Sequence, residues 1–210
     1  MHTLYYAPGA ASLAVHWLLI ELNLPHKLEL VDFESRAQKS PAYLVLNPNG
    51  VVPTLVIDGV AYHEAAALLV NLADAHPQAG WIPVLGDPRR AECMQWMFNL
   101  ANMVQPLFRL WWYPHEAAGA EHAPAVLEAT RPRIEAQWDR IDAHLAAHGP
   151  WMLGDHPSIV DFHLVMLMRW SRSMPRPATE WPHLAELASA MKARASFKQL
   201  YEREGLNEWA

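Results

Sequence analysis

From His2 to Tyr6 the chain is β-prone, and it breaks at Pro8-Gly9 before an apolar helical run that opens at or beside Ser12 and reaches Asn23. Lys27 to Asp32 alternates well enough for a second strand. A strand, a helix and a strand in that order imply a crossover and hence parallel pairing. Ser40-Pro41 starts a short helix that stops near Asn47-Pro48-Asn49-Gly50. Thr54 to Ile57 and Val60 to Tyr62 flank Asp58-Gly59, a pair that between β-rich runs marks a tight hairpin. Glu64 to Ala75 then reads as a helix with Leu68, Leu69 and Leu72 on its apolar side.

The resulting order, β-α-β-α-β-β-α, is thioredoxin-like. After the breaker-rich stretch from His76 to Pro83 only a helical period remains, so the fold class is α/β plus all-α. The expected domains are 1–77, thioredoxin-like, then a linker at 78–87 and an all-helical bundle at 88–210. Met94, Met97, Phe98, Ala101 and Val104 form one packing stripe, and Ile134, Trp138, Ile141 and Leu145 another. Phe162 to Trp170 is apolar nearly all round, which predicts a helix buried at the middle of the bundle.

Composition narrows the function classes. No apolar stretch among the 210 residues approaches the roughly 20 that a membrane span needs, and the first residues carry no export signal. A cytoplasmic protein with no membrane partner is the expectation. Sixteen basic residues against 22 acidic ones give a net charge of −6, with the basic residues scattered, which argues against nucleic acid. Cys93 is the only cysteine, so an intramolecular disulfide and a thiolate-rich zinc site are excluded, and a small buried hydrophobe is its expected role. His144 and His148 have the spacing of two metal ligands but no third partner, so no metal is expected. Ten Trp residues are expected mostly in a helical core or around an apolar cavity.

In Gly154-Asp155-His156-Pro157-Ser158-Ile159-Val160-Asp161 the Ser158 hydroxyl can accept from the amide three residues on, while the Asp161 carboxylate reaches back to the Ser158 amide. This is a capping box with Asp in the usual Glu place. Gly-x-x-Pro-Ser-x-x-Asp ahead of an apolar helix resembles the N-capping motif of the glutathione S-transferase C-terminal domain. Leu4-Tyr5-Tyr6-Ala7-Pro8-Gly9, Val52-Pro53 before the hairpin and Glu64 at the third helix all stand at spacings used by that family. The resemblance spans nearly the whole chain and is nearest the bacterial beta class. It implies glutathione as co-substrate, a small apolar electrophile as second substrate, a homodimer and a part in detoxification.

The resemblance also implies roles for single residues. It makes the Val52–Pro53 bond cis, leaving the Val52 amide and carbonyl to bond a peptide backbone as an added strand does; read alone, Pro53 simply ends a loop before a strand. The Ala65 amide is a free donor at a positive helix end, suited to a carboxylate. By resemblance that is the γ-glutamyl carboxylate, with Glu64 near its ammonium; read alone, Glu64 is an acid favoured by the helix dipole. The family often has Ser at the place of Ala65 and Lys or Gln at that of Asn49, a peptide contact.

Chemistry in this family requires the glutathione sulfur as thiolate. A thiol of pKa about 8.5 is roughly 3% ionised at pH 7, and lowering it two units costs about 2.7 kcal/mol. One hydrogen bond to a charged group, about 1.5 to 3 kcal/mol, supplies most of that. Beta-class relatives use a Cys where this chain has Ala11, and other classes a Ser where it has Ala10. Ser12 is the remaining hydroxyl of the loop, as helix cap, sulfur contact or both. Tyr5 and Tyr6 are the other candidates, and strand alternation lets only one of them face the site.

In the first bundle helix, Gln105-Pro106 replaces the beta-class His-Lys pair; Gln105 could bond a substrate, and Pro106 marks a kink. Phe108, Trp111, Trp112, Tyr113 and Trp170 are placed by resemblance around the mouth between the domains, as an electrophile site, while periodicity alone reads each as core. Two alternatives to a transferase stay open. One is a glutathione-binding or protein-interaction module with little activity, motivated by Ala10, Ala11, Ala65 and Gln105. The other is a glutathione-dependent reductase or peroxidase, for which the first loop holds no cysteine.

Overall fold

β1 (His2–Tyr6) is the pivot of the N-terminal sheet in the computed structural model, which describes residues 1–209. It pairs in parallel with β2 (His26–Leu30) and antiparallel with β3 (Thr54–Ile57), and β3 pairs antiparallel with β4 (Val60–His63), giving the order β2-β1-β3-β4. The β3–β4 turn is the predicted hairpin, with Asp58 at φ 49° and Gly59 at φ 86°, the two left-handed residues a two-residue turn demands. Leu4 and Leu55, directly paired across β1 and β3, are wholly buried. α1 (Ser12–Glu21) and α2 (Pro41–Leu46) run between the strands, and α3 (Ala65–Asp74) follows β4. Ser40 caps α2 by accepting from the Tyr43 amide, with Pro41 in the first turn.

The remaining helices are α4 (Arg89–Asn99), α5 (Gln105–Trp112), α6 (His115–Ala118), α7 (Ala123–His148), α8 (Ile159–Trp170), α9 (Pro182–Lys192) and α10 (Ala195–Glu204). By internal contact the chain divides into one unit of Met1–Val84 together with residues from Lys192 on, and a second unit of Leu85–Met191. That grouping follows packing, whereas 1–77, 78–87 and 88–210 follow element type. α10 belongs to the first unit and lies along α1, where the Trp17 indole donates to Ser196 Oγ at 2.9 Å. With α3 and α10 both against it, α1 is buried from Ser12 to Ile20.

In the second unit α4 runs into α5 through a widened turn at Leu100–Val104, where the Gln105 amide bonds back to the Leu100 carbonyl five residues away. Pro106 is the physical cause: it has no amide to donate and its ring crowds the carbonyl four residues before it. The widening shifts the helical phase only from Leu100 on, and the predicted stripe is already about one residue out within regular α4. Cys93, Trp96, Met97, Leu100 and Val104 are buried, and Phe98 is 58% exposed. The α7 stripe of Ile134, Trp138, Ile141 and Leu145 is buried as expected, and α8 is buried from Ile159 to Arg169. Only Trp17, Trp96, Trp138 and Trp181 of the ten Trp residues are buried, fewer than the composition suggested. Among the described residues no helix is long and apolar enough to cross a membrane.

The capping box at α8 is formed. Asp161, wholly buried, accepts from the Ser158 amide at 2.7 Å, the Ser158 hydroxyl at 3.0 Å and the Met152 amide at 3.0 Å, while Ser158 Oγ accepts from the Val160 amide. Burial outweighs those donors and pushes the Asp161 carboxyl up to about 6.

Candidate functional site

Three loops leave the same end of the sheet. Tyr5 pairs with Thr54 and Thr54 with His63, so one step further the chain enters the β1–α1 loop after Tyr6, meets Pro53 before β3, and reaches Glu64 after β4. The register therefore gathers residues 7–12, Val52-Pro53 and Glu64-Ala65 in one place.

The Val52–Pro53 peptide is cis. Among the described residues no hydrogen bond engages the Val52 amide or carbonyl, whereas the Val51 carbonyl is bonded by Tyr43 Oη at 2.8 Å and Asn47 Nδ2 at 2.9 Å. Val52 packs with Ala7, Val31 and Tyr43, and Tyr5 and Ala10 pack against that group. Tyr5 is thus the tyrosine on the Val52 side, its ring edge-on to Tyr43 at 5.8 Å. Tyr6 lies on the opposite face, 6.1 Å from the His16 ring, and burial, then the Glu204 carboxylate, raise its phenol above the ordinary range.

Glu64 precedes α3 at φ 76°, ψ 107°, a conformation costly for any residue with a Cβ. It is exposed, makes no side-chain cap and joins no ion pair among the described residues. The first turn of α3 has no acidic residue and no side-chain cap bond, so its leading amides, Ala65 included, are not engaged by a side chain of that turn.

Ser12 is wholly buried, and its hydroxyl donates to the Ala7 carbonyl at 3.2 Å and accepts from the Ala7 amide at 3.3 Å. The cap position belongs to Ala11, which has no side-chain cap bond, so Ser12 closes the loop instead of capping the helix. The Ala11 and Ser12 amides have no acceptor among the described residues. Asn49 sits in the turn before Val52, its amide bonded to Asn47 Oδ1 at 3.1 Å and its carbonyl to Lys39 Nζ at 3.1 Å. Lys39 is a residue the sequence reading missed: an exposed ammonium drawn over this turn, with no carboxylate paired to it among the described residues. Gly50 permits that approach, since at φ 59° an added Cβ would stand 2.8 Å from Lys39 Nζ and from the Gln38 carbonyl.

In the second unit, Gln105 Oε1 lies 2.9 Å from Nε2 of the wholly buried His163, a partner that sequence reasoning missed. Phe108 is buried against Trp138 and Trp170, with ring centroids 6.0 and 5.9 Å away, and so serves the core. Trp111 and Trp170 are half-buried, and Trp112 is exposed with the Arg172 guanidinium 5.5 Å from its ring. Tyr113 carries the Arg109 guanidinium at 4.1 Å. Cys93 is buried in α4, and His144 bonds the Met152 carbonyl while its ring lies 4.9 Å from that of His148. Among the described residues no three His, Cys, Asp or Glu side chains are grouped to hold a metal ion.

Burial lowers the His163 imidazole to about 4, so the native state excludes a proton the unfolded chain binds below pH 6.5. Its contribution to stability is present above pH 6.5 and lost as pH falls through 4, about 3 kcal/mol in all. His163→Phe is expected to remove that acid loss. Urea titrations at pH 4.5 and 7.5 measure it, and an unchanged difference between the two midpoints would refute a neutral His163.

Comparison with known proteins adds the following. Residues 10–75 match the glutathione S-transferase N-terminal domain model and residues 101–204 the C-terminal domain model. The chain is 34% identical to glutathione S-transferase GST-4.5 of Xanthomonas campestris over 97% of its own length and 99% of that protein's. It is 27% identical to glutathione S-transferase GstA of Escherichia coli O157:H7, covering 97% of this chain and 98% of that one. A solved glutathione transferase homologue from Sulfitobacter, with bound glutathione, superimposes at a TM-score of 0.90 with 28% identity, covering 99% of both chains.

Proposed function

The chain belongs to the glutathione S-transferase family, and on that premise we propose that it conjugates the thiolate of glutathione to small apolar electrophiles. The observation that carries this reading is the set of unengaged backbone donors at one end of the sheet: Ala11 and Ser12 at the start of α1, Val52, and Ala65 at the start of α3. In the proposed mode the cysteinyl amide and carbonyl of glutathione pair with Val52, its γ-glutamyl carboxylate meets the Ala65 amide, its ammonium meets Glu64, and its glycyl carboxylate lies toward Asn49 and Lys39.

The sulfur then stands at the amino end of α1, on the Tyr5 side of β1. The Ala11 and Ser12 amides and the helix dipole favour the thiolate. The thiol proton passes to solvent and the sulfur forms a bond to the electrophilic carbon. A leaving group departs with its electron pair in substitution, or a proton is taken up in addition. Trp111, Trp112, Trp170 and Gln105 are the proposed contacts of the electrophile. The 1–77 and 88–210 segments are the proposed glutathione and electrophile domains, in a cytoplasmic homodimer serving detoxification.

Calorimetric titration with glutathione, thiolate absorbance near 240 nm and conjugation of a generic aryl halide against pH test the proposal. Binding with an ordinary thiol pKa would instead mean a glutathione-binding module. Ser12→Ala is expected to lower turnover about tenfold and glutathione affinity about twofold at most, because the hydroxyl holds the loop that presents the amides, through Ala7, and has no contact with glutathione in the proposed mode. An unchanged rate would remove Ser12 from the mechanism.

A further inference from the structure

We propose that Glu204, in the last turn of α10, is a positioning residue for the β1–α1 loop: its buried carboxylate fixes the direction in which the Ala11 and Ser12 amides meet the sulfur. The inference deepens the proposed function and rests on it. One oxygen, Oε2, accepts from the Gly9 amide at 2.9 Å, and the other, Oε1, lies 2.8 Å from Nδ1 of His16. The side chains of Glu204 and His16 are both fully buried.

The carboxylate therefore straddles the loop. It grips the residue before Ala10 and, through His16, the first full turn of α1, one helical repeat after Ser12. Gly9 has φ 68°, the left-handed residue at which the chain turns from β1 toward α1, so a bond to its amide sets the heading of everything up to Ser12. The Ser12 hydroxyl holds the other side of the same loop through Ala7. Between those two anchors the Ala10 and Ala11 side chains can grip nothing. A carboxylate arriving from α10 does the orienting that this loop's own side chains cannot.

α10 is itself held firmly. Trp17 of α1 donates to Ser196, and Arg194 and Ser196 both bond Glu21. His16 is confined by the His26 ring, edge-on at 5.3 Å, and by Tyr6. A carboxylate buried with a backbone amide and one imidazole is costly, and apolar residues would pack the helices together at lower cost. The placement gains its sense from the loop.

The test compares full-length Glu204→Gln, Glu204→Met and Glu204→Asp with the parent protein by three readouts: the pKa of the bound glutathione thiol, kcat against KM for glutathione, and hydrogen exchange at the Gly9 amide. Gln keeps an acceptor at the same reach and should retain parental values. Met should raise the bound thiol pKa by about one unit and lower kcat about tenfold near neutral pH, with KM little changed and faster Gly9 exchange. If Met does not fold, Asp, one methylene shorter, is expected to move the same readouts in the same direction. A folded Met or Asp variant with parental thiol pKa and kcat would overturn the proposal, as would a Gln variant as impaired as Met. A parent protein that binds glutathione without forming thiolate would remove the underlying function, an outcome distinct from failure of the variants.

Discussion

Asp161→Ala should destabilise the protein by about 3 to 5 kcal/mol, a drop in midpoint temperature on the order of 10 °C. The carboxylate accepts from two backbone amides and one hydroxyl at 2.7 to 3.0 Å in a fully buried setting. Alanine leaves those donors without a partner and removes the Asp161 half of the box that opens α8, the buried helix of the second unit. The deficit has a pH signature. Because burial raises the Asp161 carboxyl to about 6, the native state holds this proton more tightly than the unfolded chain. That part of its stability is complete below about pH 3.8 and lost as pH rises through 6. The alanine variant lacks it, so its deficit should be about 1 kcal/mol larger at pH 5 than at pH 8. Denaturant midpoints of both proteins at the two pH values measure this. A deficit that shrinks on acidification would mean that Asp161 is held as a carboxylate throughout.

What the chain disclosed before its structure was known follows from how local the signals were. The hairpin at Asp58-Gly59, the Ser40 cap and the Ser158–Asp161 box each depend on residues within four positions of one another, and each formed. The α4 stripe fails at Phe98, which lies in regular helix before the widened turn: Cys93, Trp96, Met97 and Leu100 take the buried face at ordinary helical spacing, about one residue round from the face that Met94, Met97, Phe98 and Ala101 define. Resemblance places Phe108 around a substrate mouth, whereas periodicity reads it as core, and its ring packs against Trp138 and Trp170. The bond from Glu204 to Gly9 spans 195 positions, and no period or spacing could have announced it. Lys39 was hidden for a related reason: its ammonium matters only because Gly50 leaves room for it above the Asn49 carbonyl. Ser12 was legible as the one hydroxyl of the loop, but its bonds to Ala7 were not.

Glu64 offers the sharpest separation of binding from folding. An exposed acid held at φ 76° with no cap bond costs about 1 to 3 kcal/mol of backbone strain and returns nothing to the fold. Such a residue is explained if its carboxylate is needed where that backbone points it, beside the bare amino end of α3. Glu64→Ala keeps the strain and removes the carboxylate, so glutathione affinity should fall about tenfold to a hundredfold with little change in stability. Glu64→Gly removes both. It should bind as weakly as the alanine variant yet unfold at a higher temperature, because glycine adopts the left-handed region without penalty. Calorimetry with glutathione and thermal unfolding of the two variants give the comparison. Parental affinity in Glu64→Ala would detach the carboxylate from the peptide's ammonium. A Gly variant no more stable than the alanine one would mean that the conformation is held at no cost and owes nothing to the ligand.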